Sequence, residues 1–200
     1  MKKISVVIPM YYEEEVVEEC YKRMTNILSH IENYEYEIIC VNDGSKDKTL
    51  TILKEIAEKD QKLKVISFSR NFGHQCAVTA GLKYVTGDVI VIIDADLQDP
   101  PELISDMLKL WEEGNEVIYG KRKTREGESK FKLLTAKMFY HTLNALSDVE
   151  IPKDTGDFRL VDRKVVEVIN SLPEHNKFLR GLFSSVSYTH LRAHETLMNL

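Results

Sequence analysis

Val89-Ile90-Val91-Ile92-Ile93-Asp94-Ala95-Asp96-Leu97-Gln98-Asp99-Pro100-Pro101 decides the fold. Five consecutive β-branched residues read as a strand buried on both faces, the kind found inside a parallel sheet covered by helices. The strand ends in acidic residues, and Pro100-Pro101-Glu102 then predicts a helix start. Asp94 and Asp96 are two apart, so in extended chain they point to the same side. Two carboxylates so placed repel each other unless a cation sits between them, and hard divalent cations take oxygen ligands. Gln98 adds a neutral oxygen. Mg2+ and Mn2+ keep ligand positions for substrate phosphates, so the stretch reads as a metal–diphosphate site. D-x-D alone is a common tripeptide that also marks a merely solvated strand end. The rest of the chain has to decide.

Outward from this strand the pattern is a regular alternation. Ile4 to Pro9 is an apolar strand, followed by Met10-Tyr11-Tyr12 and an acidic helix start at Glu13-Glu14-Glu15. Val16, Val17, Cys20, Met24, Ile27, Leu28 and Ile31 recur at helical spacing, predicting an amphipathic helix from Glu13 to about Ile31. Tyr36 to Val41 is a second strand, whose tip Asn42-Asp43-Gly44-Ser45 turns toward a helix capped by Asp47 or Ser45. Leu63 to Phe68 is a third strand, and His74 to about Val85 a third helix. After the central strand come a helix from Pro101 to Glu113 and a strand from Glu116 to Tyr119. Short-looped β–α repetition predicts a mostly parallel sheet with helices on both faces. Ligands of such folds sit outside the carboxyl ends of the strands. Those ends are polar here, which places the site at that edge.

Past Gly120 the pattern changes. Residues 121–130 form a basic, glycine-containing loop, and Phe131 to Leu146 is helical in pattern. Pro152 to Leu160 reads as a loop entering a short strand, Asp162 caps a helix from Arg163 to Leu172, and Phe178 to Phe183 is a further helical turn. His190-x-x-x-His194 has metal-ligand spacing for a helix, yet lacks the glutamate of H-E-x-x-H and is a weak motif.

Composition excludes some classes. Apolar content of 43% and charged content of 30% are those of a globular chain, and a net charge of -5 argues against nucleic-acid binding. Cys20, Cys40 and Cys76 are widely spaced and read as reduced core thiols of a cytoplasmic protein. No run approaches the roughly 18 apolar residues of a membrane span, and the start at Met1-Lys2-Lys3 lacks a signal peptide's apolar stretch.

Several stretches together resemble the family 2 glycosyltransferases, and more narrowly the polyprenyl-phosphate glycosyltransferases. They are Ser5-Val6-Val7-Ile8-Pro9, Val41 to Thr49, Ser69-Arg70-Asn71-Phe72-Gly73-His74-Gln75, Gly81-Leu82, Asp94 to Glu102, Tyr119-Gly120-Lys121-Arg122 and Asp154 to Arg163. The resemblance implies a Rossmann-like GT-A fold. It also implies transfer of a hexose, with inversion, from a nucleotide-diphospho-sugar to a polyprenyl phosphate. UDP-glucose is the favoured donor and GDP-mannose the next. On this resemblance Pro9, Tyr11, Glu13, Asp43, Asp94 and Ala95 would line the nucleotide pocket. Asp94, Asp96 and Gln98 would surround Mg2+ or Mn2+, Arg122 and Arg180 would hold phosphate, and Asp157 would occupy the catalytic-base position. A lipid acceptor implies work against a membrane surface, on its cytoplasmic face.

Two features depart from the pattern. Tyr12 precedes Glu13 where the family usually has Asn-Glu, and residues 185–200 resemble nothing in it. The expected organisation is a catalytic domain over 1–184 with an atypical tail over 185–200. Two other readings compete: a nucleotide-sugar-binding fragment without catalysis, and a D-x-D phosphohydrolase.

Overall fold

The computed structural model describes residues 1–96, 98–121, 155–174, 177–186 and 190–193. Within them the order is β1 (Lys2–Met10), α1 (Val17–Ser29), β2 (Tyr34–Asn42), α2 (Thr49–Ala57), β3 (Leu63–Ser67), α3 (His74–Leu82) and β4 (Val89–Ile92). A 3-10 turn at Pro101–Leu103 then runs into α4 (Ile104–Glu112), β5 (Val117–Lys121) and β6 (Thr155–Asp162). The helices α5 (Arg163–Ser171) and α6 (Leu179–Val186) and the strand β7 (His190–Ala193) follow.

The described strands form one sheet in the order β3-β2-β1-β4-β6-β5-β7. β3, β2, β1 and β4 are mutually parallel, as their α-helical connections require. β6 is antiparallel to both β4 and β5, so it lies between two strands that follow each other in sequence. The α/β class and the mostly parallel sheet are as expected. The long antiparallel β6 is not, since the sequence marks it only as a loop entering a short strand.

Alternation along the strands sorts the core into two layers. Ile4, Val6 and Ile8 of β1 and Val89 and Val91 of β4 pack on α1, α2 and α4 through Cys20, Met24, Leu53 and Met107. Val7 of β1, Ile90 and Ile92 of β4 and Val161 of β6 pack on α3, α5 and α6 through Val78, Val166 and Phe183. Helices therefore cover both faces. On the second face α3 lies so close that a Cβ on Gly81 would stand 2.4 Å from Val7 Cγ1.

Some boundaries shift for local reasons. α1 starts at Val17 instead of Glu13; the segment before it is tied to the loop after β2, the N–H groups of Glu13 and Glu14 donating to Thr49 Oγ1 and Asp47. The predicted capping of α5 by Asp162 is present, its carboxylate accepting from the Lys164 N–H at 2.8 Å. His190 lies in a strand parallel to β5, which removes the helical premise of the His190/His194 spacing. The basic loop beyond Lys121 and the helix predicted over Phe131–Leu146 fall outside the described residues. No helix among the described residues is long and apolar enough to cross a membrane.

Candidate active site

The carboxyl ends of β1, β2 and β4 and the first turn of α3 enclose a cleft of about 290 Å3. β1 contributes Pro9 and Met10, with Tyr11 and Glu13 just beyond it, and Asp43 follows the end of β2. Asp94, Ala95 and Asp96 come from the tip of β4, and Asn71, His74 and Ala77 from α3 and the loop before it.

Local chemistry fixes these loops. Asp43 is buried and caps the turn leading into α3, its two oxygens accepting from the N–H groups of Phe72 (2.7 Å) and Gly73 (2.9 Å). Gly44 follows at φ +69°, and a Cβ there would stand 2.3 Å from the Arg70 carbonyl carbon, so only glycine admits this approach. The β1 loop is tied to the β2 loop through Tyr12 N–H to Ser45 Oγ at 3.0 Å and Glu13 N–H to Thr49 Oγ1 at 2.9 Å.

β6 adds the other half. Its register pairs Ile92 with Arg159, and being antiparallel it delivers its first residues to the edge where the parallel strands end. Asp94, two beyond Ile92, shares the face of Ile90 and Ile92; Asp157 and Arg159 share the face of Val161. Both sets look toward α3 and α6. There Arg180 of α6 grips Asp157 with two bonds, Nε to Oδ1 at 2.9 Å and Nη2 to Oδ2 at 3.0 Å. Arg159 adds a bond to Asp157 Oδ1 at 3.1 Å. Arg159 is only 2% exposed and lies against the rings of Phe183 and Tyr119, at 4.9 and 5.7 Å. On the cleft side His74 Nε2 meets Asp94 Oδ1 at 2.9 Å.

These neighbours set the ionisation. Burial raises the Glu13 carboxyl above its ordinary range, and the Asp96 and Asp94 carboxylates push it the same way. The bond to Asp94 lifts His74 above the usual histidine value against the opposing effect of burial. Burial alone would raise Asp157, but the bonds and charge of Arg180, then Arg159, hold it below the ordinary aspartate range. An aspartate so held is a poor proton acceptor.

The donor set suits a hard dication. His74, Asp94 and Asp157 offer ligand atoms within 4.8 Å of one another. Both Asp157 oxygens already carry guanidinium bonds, however, so positive charge is already supplied on that side. Asp94, which His74 offsets in part, stands with Asp96 and Glu13 on the cleft side, and after burial the repulsion from Asp96 and Asp94 contributes to raising Glu13. A metal ion among them would relieve it.

Pro9, Tyr11, Glu13, Asp43, Asp94, Ala95 and Asp96, singled out in the sequence, all line the cleft. Asp94 and Asp96 do so differently from expected: β4 ends at Ile92, and Ala95-Asp96 form a turn in which Asp96 Oδ1 accepts from the Gln98 N–H at 3.1 Å. Gln98 is exposed and does not line the cleft. Arg180 stands beside it through Asp157, and Arg122 lies outside the described residues. Unassigned in the sequence were His74, Asn71 and the buried Arg159. The polar signal of His74 was visible within Asn71-Phe72-Gly73-His74, but nothing local ties it to Asp94.

The glycosyl transferase family 2 profile matches residues 5–169. Glycosyltransferase YkcC of Bacillus subtilis is 52% identical over 184 residues, 92% of this chain and 57% of that protein. A bactoprenol glucosyl transferase of Shigella phage SfX is 42% identical, over 92% of this chain and 60% of its own length. The chain thus spans less than two thirds of these relatives. The mannosyltransferase PcManGT from Pyrobaculum calidifontis, solved with GDP-Man and Mn2+, superposes with a TM-score of 0.67 at 19% identity. That match covers 96% of this chain and 54% of that one, and it establishes the GT-A architecture. The sequence matches go further: this chain belongs to glycosyl transferase family 2.

Proposed function

We propose that the chain is the catalytic part of an inverting hexosyltransferase that moves a sugar, glucose from UDP foremost, onto a polyprenyl phosphate at the cytoplasmic membrane surface. The observation that carries this reading is the apposition of a carboxylate-lined cleft and a guanidinium pair across the β4 and β6 tips. Likeness to a bactoprenol glucosyl transferase supports the acceptor class.

In this reading the nucleotide lies between Pro9, Tyr11 and Asp43, with its diphosphate toward Asp94 and Asp96. Asp94 and Asp96 would hold Mg2+ or Mn2+, which when bound would supply charge stabilisation for the departing diphosphate; Gln98 was grouped with them on the family resemblance. Arg180, part-exposed, presents its guanidinium to the acceptor phosphate, while Arg159 is too buried to touch substrate and instead backs Asp157. A phosphate monoester has a second pKa near about 6 and is largely dianionic at neutral pH. One of its oxygens can therefore attack the anomeric carbon as the bond to the diphosphate breaks, with no proton to remove. Asp157, poorly basic in its ion pairs, then serves by orienting Arg180. Arg122 is assigned to phosphate on the family resemblance.

Calorimetric titration of UDP-glucose, GDP-mannose and UDP, with and without Mn2+, tests the donor site, followed by transfer to a polyprenyl phosphate. Metal-dependent binding of one donor, lost in Asp96→Ala, is the expected result. Absence of nucleotide binding by a chain with a cooperative melt overturns it. Phosphate release without lipid would instead make it a phosphohydrolase.

A further inference from the structure

α3 begins where three strand ends meet, and its first residue reaches the carboxylate at the centre of the cleft. Asp43, buried at the end of β2, holds the N–H groups of Phe72 and Gly73 and so fixes the entry to this helix. Gly73, at φ +95°, turns the chain into His74. The His74 ring then meets Asp94 Oδ1 at 2.9 Å. Among the described residues no other side chain donates a hydrogen bond to Asp94. A carboxylate only accepts, so the imidazole must present its Nε2–H. The next residue, Gln75, accepts the Leu179 N–H at 3.2 Å, so the same turn also fixes the start of α6, next to Arg180.

We propose that His74 is a positioning residue for the cation–diphosphate interaction: by occupying Asp94 Oδ1 it locks the carboxylate rotamer and turns Oδ2 toward the cleft. The inference rests on the reading of Asp94 and Asp96 as the metal-holding pair. Carboxylate ligands are ordinarily oriented by hydrogen bonds from a second layer of residues, whose loss costs about 10–100-fold in metal affinity.

Mn2+ binding in the presence of saturating UDP, followed by the electron paramagnetic resonance of free Mn2+, reads this without reference to turnover. His74→Ala is expected to weaken Mn2+ by about 10-fold or more. His74→Gln, whose amide can place an N–H where Nε2 was, is expected to stay within about 3-fold of the parent. Both variants are expected to keep a cooperative melt, and in His74→Ala metal-free UDP affinity is expected to fall far less than Mn2+ affinity. Equal Mn2+ affinity in parent and His74→Ala overturns the inference, and so does a His74→Gln as weak as His74→Ala. A fall in metal-free UDP binding parallel to the loss of Mn2+ affinity would show a general structural role and overturn it too. Absence of Mn2+ binding by the parent–UDP complex is a different failure, that of the metal–diphosphate reading itself.

Discussion

Asp157 faces Asp94 across the β4–β6 ladder. The paired register ends at Ile92 and Arg159, and just past it the two carboxylates bring oxygen atoms within 4.8 Å of each other. One is bonded to a histidine and the other to two arginines. Two acids on adjacent strands are thereby given unlike surroundings, one open to a cation and the other saturated with positive charge.

Removing the Asp157 side chain takes a carboxylate away from a buried cation. Arg159 is almost wholly enclosed, and breaking a buried pair from one side costs about 3 kcal/mol. Asp157→Ala is expected to lose roughly this much in urea unfolding. Arg159→Met in the same background should restore at least half of it, because an apolar side chain of similar length leaves no unpaired charge. Additive losses in the double variant would refute the coupling.

Transfer kinetics separate the base from the orienting role. If the acceptor dianion needs no base, Asp157→Asn should lower kcat/KM for the lipid phosphate by about 10–100-fold, short of the loss of up to 10⁴-fold that removing a general base can bring. The donor KM should stay nearly constant. A loss confined to kcat, with the acidic limb of the parent's pH profile abolished, would restore the base assignment.

Glu37 stabilises the opposite edge of the sheet. It is buried on β2 and accepts from Lys64 Nζ (2.6 Å), Lys3 Nζ (3.1 Å), Ser5 Oγ (2.6 Å) and the Thr86 N–H (2.6 Å). Burial opposes its ionisation, but these bonds bring its pKa down to about 2. The folded value lies below the unfolded one, so the contribution is complete above about pH 4.5 and is lost as pH falls toward 2. It should amount to on the order of 2 kcal/mol, below what the whole shift implies, since Lys3 and Lys64 stand partly in water. Glu37→Gln is expected to destabilise the fold at neutral pH and flatten the acid limb of stability against pH. An unchanged acid limb would remove Glu37 from that role.

Gly44 should tolerate no side chain. Gly44→Ala combines a left-handed backbone with contact at 2.3 Å against the Arg70 backbone, and is expected to cost about 3 kcal/mol. The strain falls on the loop that Asp43 clamps, so hydrogen exchange at the Phe72 and Gly73 amides should accelerate more than exchange in β1. Uniform acceleration across the sheet would show global destabilisation only.

The donor half of the cleft was legible because its residues cluster at the ends of strands whose hydrophobic runs are unmistakable. Asp43, Asp94 and Asp96 follow such runs directly, and β–α alternation brings strand ends to one edge. The other half depended on β6, whose alternation Phe158-Arg159-Leu160-Val161 is broken by a charge at a core position. Arg159 looks like a surface residue in the sequence and is buried only because Asp157, Phe183 and Tyr119 accept it. The pairing with Asp157 is suggested by adjacency in the sequence, but the ring partners Phe183 and Tyr119 lie 24 and 40 positions away, which neither spacing nor composition records. The link from His74 to Asp94 was hidden likewise, since it crosses from a helix start to the end of a different strand.

The insertion of β6 between β4 and β5 also orders events in time. Every residue lining the cleft precedes position 97, so the nucleotide half is available as soon as β4 has been made. The strand that covers the other side of β4 is complete only at Asp162, 66 residues after Asp96. At roughly 5–20 residues per second, β4 waits several seconds on the ribosome with its edge unpaired. An open apolar edge is an invitation to wrong partners. Proteolysis of chains arrested before and after residue 162 would register the moment of closure as a step in protection.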